Sequence, residues 1–402
     1  MIMREITAGI HSGGGGKITT PTISQTREGK TLLQETTRPM KKTALISRLL
    51  ILLPLIAASV VAQPVVDLKP VVITEAVEHD ADDPAVWVNR AHPAESLIIG
   101  TDKGRDTGAL YVFGLDGKIR QKISGLGRPN NVDVEYGFQF DNQRIDIAVL
   151  TETNARRLRI FRISSAGQLT DISADRTALF AGEPQNQTMP MGIALYKRPK
   201  DGAVYAIVSR LSGPKEGYLG QYLLRDNGSG KVEAVEIRRF GRFNGADSIE
   251  AVAIDDALGY VYYADEPTCI RKYPADPDHP SAGEELAVFG GGEYAADREG
   301  LGLYILADGT GYVVGTDQLG NSKYLIYPRE GLPGKPHAHG KAIKVIQGGA
   351  SHTDGIEVES TPLGPRFPNG ILVAMNSSGR NFFIYDWRAI AETGNPKLKT
   401  NR

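Results

Sequence analysis

From residue 68 onward, three kinds of short segment return in a fixed order six times, and few folds can accommodate that recurrence. The first kind starts on polar or small residues and passes into alternating apolar ones: DDPAVWV at 82, NNVDVEY at 130, PMGIALY at 190, SIEAVAID at 248, REGLGLY at 298 and TDGIEV at 353. The second is an apolar run with a polar end, as in LIIGTDK, DIAVLTE, YAIVSR, VYYADE, YVVGTD and ILVAMNS. The third closes on an aromatic residue: Phe113, Phe161, Tyr222, Tyr273, Tyr327 and Tyr385, spaced by 48, 61, 51, 54 and 58 residues. Alternation with period two marks half-buried strands, and long helical periodicity is almost absent. Imperfect repeats of this length, each with at least three strands, predict an all-β, six-bladed β-propeller of predominantly antiparallel, four-stranded blades. A β-sandwich would not produce six ordered copies. The fourth strand of each blade is less regular; LDGKIRQKI at 115 and SGKVEAVEI at 229 are candidates.

The first 62 residues do not share this pattern. Residues 1–39 are polar and rich in Gly and Thr, and read as an upstream extension. Met40-Lys41-Lys42, an apolar run and the small-residue end Val60-Val61-Ala62 have the three parts of a secretory signal peptide. Pro54 and the small residues after it argue against a retained membrane anchor, and no cysteine near the junction could carry a lipid. The expected organisation is therefore a leader over 40–62, a propeller over 63–390 and a polar C-terminal tail over 391–402, in a secreted or periplasmic protein. The leader and extension hold eight of the 46 basic side chains and three of the 47 acidic ones, so the overall charge of −1 becomes −6 for the remainder. Phosphate-backbone binding needs clustered positive charge, which argues against a nucleic-acid partner. The lone cysteine, Cys269, excludes an intrachain disulfide and any multi-cysteine metal centre.

Register converts the repeats into a site. Consecutive antiparallel strands reverse direction, so the start of each first segment and the end of each second one lie on the same face. Those positions bring Asp82, Asp83, Asn130, Asn131, Asp133, Glu250, Asp297, Glu299 and Asp354 together with Asp102, Lys103, Glu152, Arg210, Asp265, Glu266 and Asp317. Such a ring of carboxylates is unfavourable unless cations neutralise it. A wide mouth screened by sodium and water is the plain alternative. Oxygen donors without Cys or clustered His select Ca²⁺ or Mg²⁺, and the loose coordination of Ca²⁺ suits ligands spread over several blades. Lys103, Arg210 and Lys215 among the carboxylates point to an anionic ligand such as phosphate. The chain has no nucleophile elbow, Walker loop or HExxH motif. His337 and His339, in PGKPHAHGK, read as part of a turn.

The segments DDPAVWV, TDKG, GRPNNVDVEYGF, DIA, IEAVAIDD with YYADE, DREGL and TDGIEV, in this order, resemble the β-propeller phytases over about residues 68–390. The resemblance implies a 3-phytase-type phosphoric monoester hydrolase that uses several Ca²⁺ ions to release phosphate from myo-inositol hexakisphosphate (phytate), by direct attack of a metal-positioned water. It places Asp82, Asp83, Glu250, Glu266, Asp297, Glu299 and Asp354 at metal-holding carboxylates, and Asn130, the Val132 carbonyl and Asp133 in a calcium loop. Lys103 matches a phosphate-binding lysine, and Lys215-Glu216 a Lys-Glu pair. Glu250 is the expected base, with Lys103, Asp82 and Glu266 also catalytic; Lys103, Arg210, Lys215, Glu216 and Arg156 are the expected substrate contacts. Three positions depart from the family: a phosphate-binding arginine falls at Thr153, a tyrosine at Met191, and a Gln-Asp-Gly turn at Met375-Asn376-Ser377. Arg156 or Arg157 could replace the arginine by reaching back. The departures concern substrate contacts more than metal carboxylates, so they bear on specificity first. The partner implied is a small phosphomonoester bound by a monomer without a stable membrane anchor. A metal-dependent lactonase or esterase, and a non-catalytic calcium and inositol-phosphate-binding propeller, are the alternative readings.

Overall fold

Six sheets account for nearly all regular structure in the computed structural model, which describes residues 65–175 and 178–401. The expected leader and upstream extension lie outside the described residues. The sheets span residues 81–126, 129–171, 190–242, 252–289, 301–347 and 356–386, here blades 1 to 6, and strands within each blade run antiparallel in sequence order. The first strands of successive blades contact one another in cyclic order, and that of blade 6 returns to blade 1. These contacts define a six-bladed β-propeller around a central channel, as the repeats predict.

Each closing aromatic occupies the third strand of its blade, and all six are buried. They belong to six apolar clusters, one between each pair of neighbouring blades. Alternation makes this possible: one face of every sheet meets the preceding blade and the other face the next. Blades are thus fastened mainly by burial of aromatic and aliphatic surface.

Ring closure comes from the N-terminal segment. Val72–Ile73 supplies the fourth strand of blade 6, pairing antiparallel with Phe383 and Ile384. Just before it, Val66–Asp67 adds a parallel fifth strand to blade 5 along Ile346 and Gln347. The C-terminal end is tied down as well. The helix Trp387–Glu392 follows blade 6, with Trp387 stacked on Tyr304 at 4.0 Å between ring centres. Leu398 is buried against the blade 5–6 cluster, and the buried Lys344 ammonium donates to the Ala391 and Pro396 carbonyls at 3.1 Å. Among the described residues no helix is long and apolar enough to cross a membrane.

Candidate active site at the channel mouth

The antiparallel pairing aligns first-strand starts with second-strand ends, shown by Ala81 opposite Asp102, Pro129 opposite Glu152 and Pro190 opposite Arg210. In blades 4 to 6 the same alignment continues past the strands through Ala264 N to Ala251 O (3.0 Å), Thr316 N to Gly300 O (2.9 Å) and Met375 N to Gly355 O (3.1 Å). The polar residues flanking these positions collect around one mouth.

At its centre the Lys103 ammonium donates to Asp82 Oδ1 at 2.9 Å and to Asp354 Oδ2 at 2.6 Å, joining residues far apart in sequence. Gln318 Nε2 donates to the other Asp354 oxygen at 2.6 Å. Asp83 Oδ2 accepts from Val132 N at 3.0 Å, linking blade 1 to blade 2. Asn130 Nδ2 donates to Asn131 Oδ1 (2.8 Å) and reaches Glu250 Oε2 (3.3 Å), while Glu250 N donates to Glu266 Oε1 (3.0 Å). Asp133 is anchored to blade 3, accepting from Leu195 N at 2.7 Å. Asp297 and Glu299 immediately precede the first strand of blade 5, Leu301–Ile305. Blades 1, 2, 4, 5 and 6 thus all contribute oxygen donors.

Two close approaches fix this arrangement. A Cβ on Gly355 would lie 2.1 Å from Asp83 Oδ1, and one on Gly192 would lie 1.9 Å from the Glu250 carbonyl oxygen. Only glycine lets these inter-blade contacts form.

The electrostatics are those of a site awaiting positive charge. Burial, reinforced by neighbouring carboxylates, drives Asp82 and Asp83 well above the usual carboxylate range. Burial first and Glu250 second push Glu266 up to about 9; burial with Glu250, Glu266 and Asp354 pushes Glu299 up to about 11. Burial raises Asp133 to about 7 and also raises Glu250 and Asp297. For Lys103, burial favours the neutral amine, but Asp82, Asp354 and Glu250 outweigh it and hold the proton firmly. Asp82 Oδ2 and Asn130 Oδ1 are buried without any hydrogen-bond partner. Buried oxygens without a partner are costly, and a hard cation can satisfy them where a proton donor is missing. The donor set therefore fits calcium. Among the described residues no three His, Cys, Asp or Glu groups converge on one point.

The second-strand acids behave differently from the sequence expectation. Asp102, Glu152, Arg210, Asp265, Asp317 and Asn376 are each the last residue of a second strand, and all are buried. Each fastens a neighbouring loop. Asp102 accepts from Asp80 N, Glu152 from Gly127 N and Arg157, Asp265 from Asn244 N, Asp317 from Ala295 N and Ala296 N, and Asn376 from Ser351 N. Arg210 corrects the substrate-contact expectation most clearly. It is wholly buried, stacks at 4.2 Å from the Phe180 ring centre, and donates to the Tyr218, Gly217 and Gln187 carbonyls. Its donors are spent on the scaffold, so it does not face the mouth.

Lys215 and Glu216 are exposed beside the mouth of blade 3; Glu216 pairs with Arg242 at 3.3 Å, and the Lys215 stem lies over Gly245. Arg156 points toward Gln185, whose amide oxygen can accept from it at 2.7 Å, and Arg157 is held by Glu152 at 2.7 Å. Thr153 is buried and donates to Pro190 O at 2.8 Å; Met191 is also buried. Sequence reasoning overlooked Gln318, which orients Asp354, and Asp80, whose carbonyl accepts from Lys103 N at 2.8 Å. Both adjoin acids in the repeat, which is the signal that would have found them.

The fold is a six-bladed propeller with a carboxylate-lined mouth, and the sequence comparisons supply its family. The phytase family model matches residues 41–400, and the chain belongs to that family. A 3-phytase of Bacillus subtilis (strain 168) is 32% identical over 365 residues, covering 85% of this chain and 90% of that protein. Solved structures with more distant similarity include a Bacteroides uniformis ATCC 8492 protein (TM-score 0.47, 13% identity, 75% of this chain and 80% of that one). A β-propeller domain from Myceliophteria thermophila is another (TM-score 0.42, 11% identity, 78% and 84%). Neither bears on function at that distance.

Proposed function

We propose that this phytase-family hydrolase is a calcium-dependent phosphomonoesterase that releases phosphate from phytate by direct attack of water. The observation that carries this reading is the cluster of buried and half-buried carboxylates drawn from five blades, with bare oxygens at Asp82 and Asn130 and one lysine clamped among them. Asp82, Asp83, Asn130, the Val132 carbonyl, Asp133, Glu250, Glu266, Asp297, Glu299 and Asp354 are the proposed calcium holders. Calcium bound there would neutralise phosphate oxygens, position water and stabilise the leaving alkoxide, the chief electrostatic needs of monoester hydrolysis.

The protein's own groups divide the remaining work. Glu250, raised by burial and central to the charge network, accepts the proton of the attacking water. Lys103 turns from Asp82 and Asp354 toward the transferring phosphate and offsets its developing charge. Asp82 and Glu266 hold the geometry around that centre, and the exposed Lys215-Glu216 pair is assigned to a second phosphate of the same substrate. The basic, apolar leader in the sequence supports an exported protein. The test is phosphate release from phytate by residues 63–402, with calcium and with EGTA, and a lactone as control substrate. Calcium-dependent release is expected; full activity in EGTA, or turnover of the lactone alone, would refute the reading.

A further inference from the structure

The channel mouth has a second cation to which the sequence reading gave no role, although it lies in the segment GRPNNVDVEYGF. Arg128 is the residue immediately before the first strand of blade 2, Pro129–Phe140. Its N–H donates to Gly104 O at 3.2 Å, and its carbonyl accepts from Thr153 N at 3.0 Å. The first bond sets Arg128 directly beside the residue that follows Lys103. The second ties it to Thr153, where an arginine is missing. The backbone at Arg128 is left-handed, with φ of 53°, a conformation that costs a non-glycine residue about 1 kcal/mol or more and tends to persist at functional sites.

The side chain is free to act. Three neighbouring arginines are already directed elsewhere, Arg157 to Glu152, Arg156 toward Gln185 and Arg210 to three carbonyls, while Arg105 is exposed to solvent. Arg128 is half-buried, and its guanidinium has no hydrogen bond or ion pair among the described residues. Its backbone bonds to Gly104 and Thr153 seat it between the blade 1 loop that carries Lys103 and the second-strand end of blade 2, at the rim of the mouth.

We propose that Arg128 is a substrate-binding residue that grips a phosphate group beside Lys103, taking the place left by Thr153. This rests on the phosphomonoesterase reading for the identity of the natural ligand. The guanidinium fork matches two phosphate oxygens, and its charge-assisted bonds form only when the anion arrives. Lys103 and Arg128, on adjoining loops, then hold one phosphate from two sides.

The left-handed φ makes Arg128→Gly a clean test, since glycine adopts that backbone without strain. Steady-state hydrolysis of phytate and calorimetric titration with inorganic phosphate are measured on the wild-type chain, Arg128→Gly and Arg128→Lys. The expected result for Arg128→Gly is an unchanged or higher melting temperature, unchanged calcium affinity, and KM for phytate and Kd for phosphate both raised on the order of tenfold to a hundredfold. Arg128→Lys should fall between the two. Values within twofold of wild type in a folded Arg128→Gly protein would overturn the inference. If the wild-type chain hydrolyses no phytate, the functional reading fails separately, and the phosphate titration still decides for or against Arg128. Should Arg128→Gly prove unstable, Arg128→Gln is judged by the same titration.

Discussion

At the scale of single residues, the mouth separates groups that wait for a ligand from groups already spent. Glu250 belongs to the first kind, and Glu250→Gln preserves its shape while removing the proton acceptor. Phosphate release should fall roughly a hundredfold or more with little change in melting temperature, by the usual worth of a positioned base. A rate within threefold of wild type would move the base elsewhere. Arg210 belongs to the second kind. Arg210→Ala strands three carbonyls and leaves a cavity, so chemical denaturation should show a loss of ~3 kcal/mol. KM of the protein that remains folded should stay constant; a raised KM with normal stability would restore Arg210 to the substrate. Sequence register located Asp82, Asp83, Glu250 and Asp354 because strand direction alone brings them together. It did not separate them from Asp102, Glu152 and Asp317, because facing a channel or a loop backbone depends on loop conformation, which the repeat does not encode. Likewise His339 read as a turn residue, yet it is buried and stacks on Phe289 at 4.4 Å between ring centres.

At the scale of elements, second-strand ends form a class: in all six blades the last residue is polar, buried and bonded to a neighbouring loop. One repeat can thus supply a scaffold from its second-strand ends and the proposed calcium holders from the starts of its first strands. Gly355 shows how tightly the two are set. Gly355→Ala would press a methyl group into Asp83 and its backbone, since the Asp83 Cα is also only 2.6 Å from the added carbon. Both the melting temperature and calcium affinity by calorimetry should drop in this variant; normal calcium affinity would show that Asp83 is not a ligand. The three regular strands of each blade were legible from alternation and a closing aromatic. The Val72–Ile73 strand was not, because two residues carry no period and their partner lies at the other end of the chain.

At the scale of the whole molecule, net charge said little until the acidic residues 63–402 were counted apart from the basic segment before them. The concentrated acidity makes stability depend on pH and calcium together. With Glu266 raised to about 9 and Glu299 to about 11, the metal-free folded protein keeps protons that the unfolded chain releases near pH 4.5. Stability in EGTA should therefore be greatest at acid pH and decline as pH rises from about 4.5 through 9. Calcium replaces those protons, so the melting-temperature gain on adding it should grow over the same range. A calcium effect independent of pH would separate these carboxylates from metal binding. The joining of Val72–Ile73 to the strand Asn381–Asp386 has a kinetic consequence too. Five blades can assemble as the chain lengthens, but the last seam unites its two extremes and has the greatest loop-closure entropy to overcome. Until that seam forms, one edge of blade 6 stays open to other chains, and the acidic rim remains incomplete. By this argument the last seam to close is also the one that completes the acidic rim on which the proposed function depends.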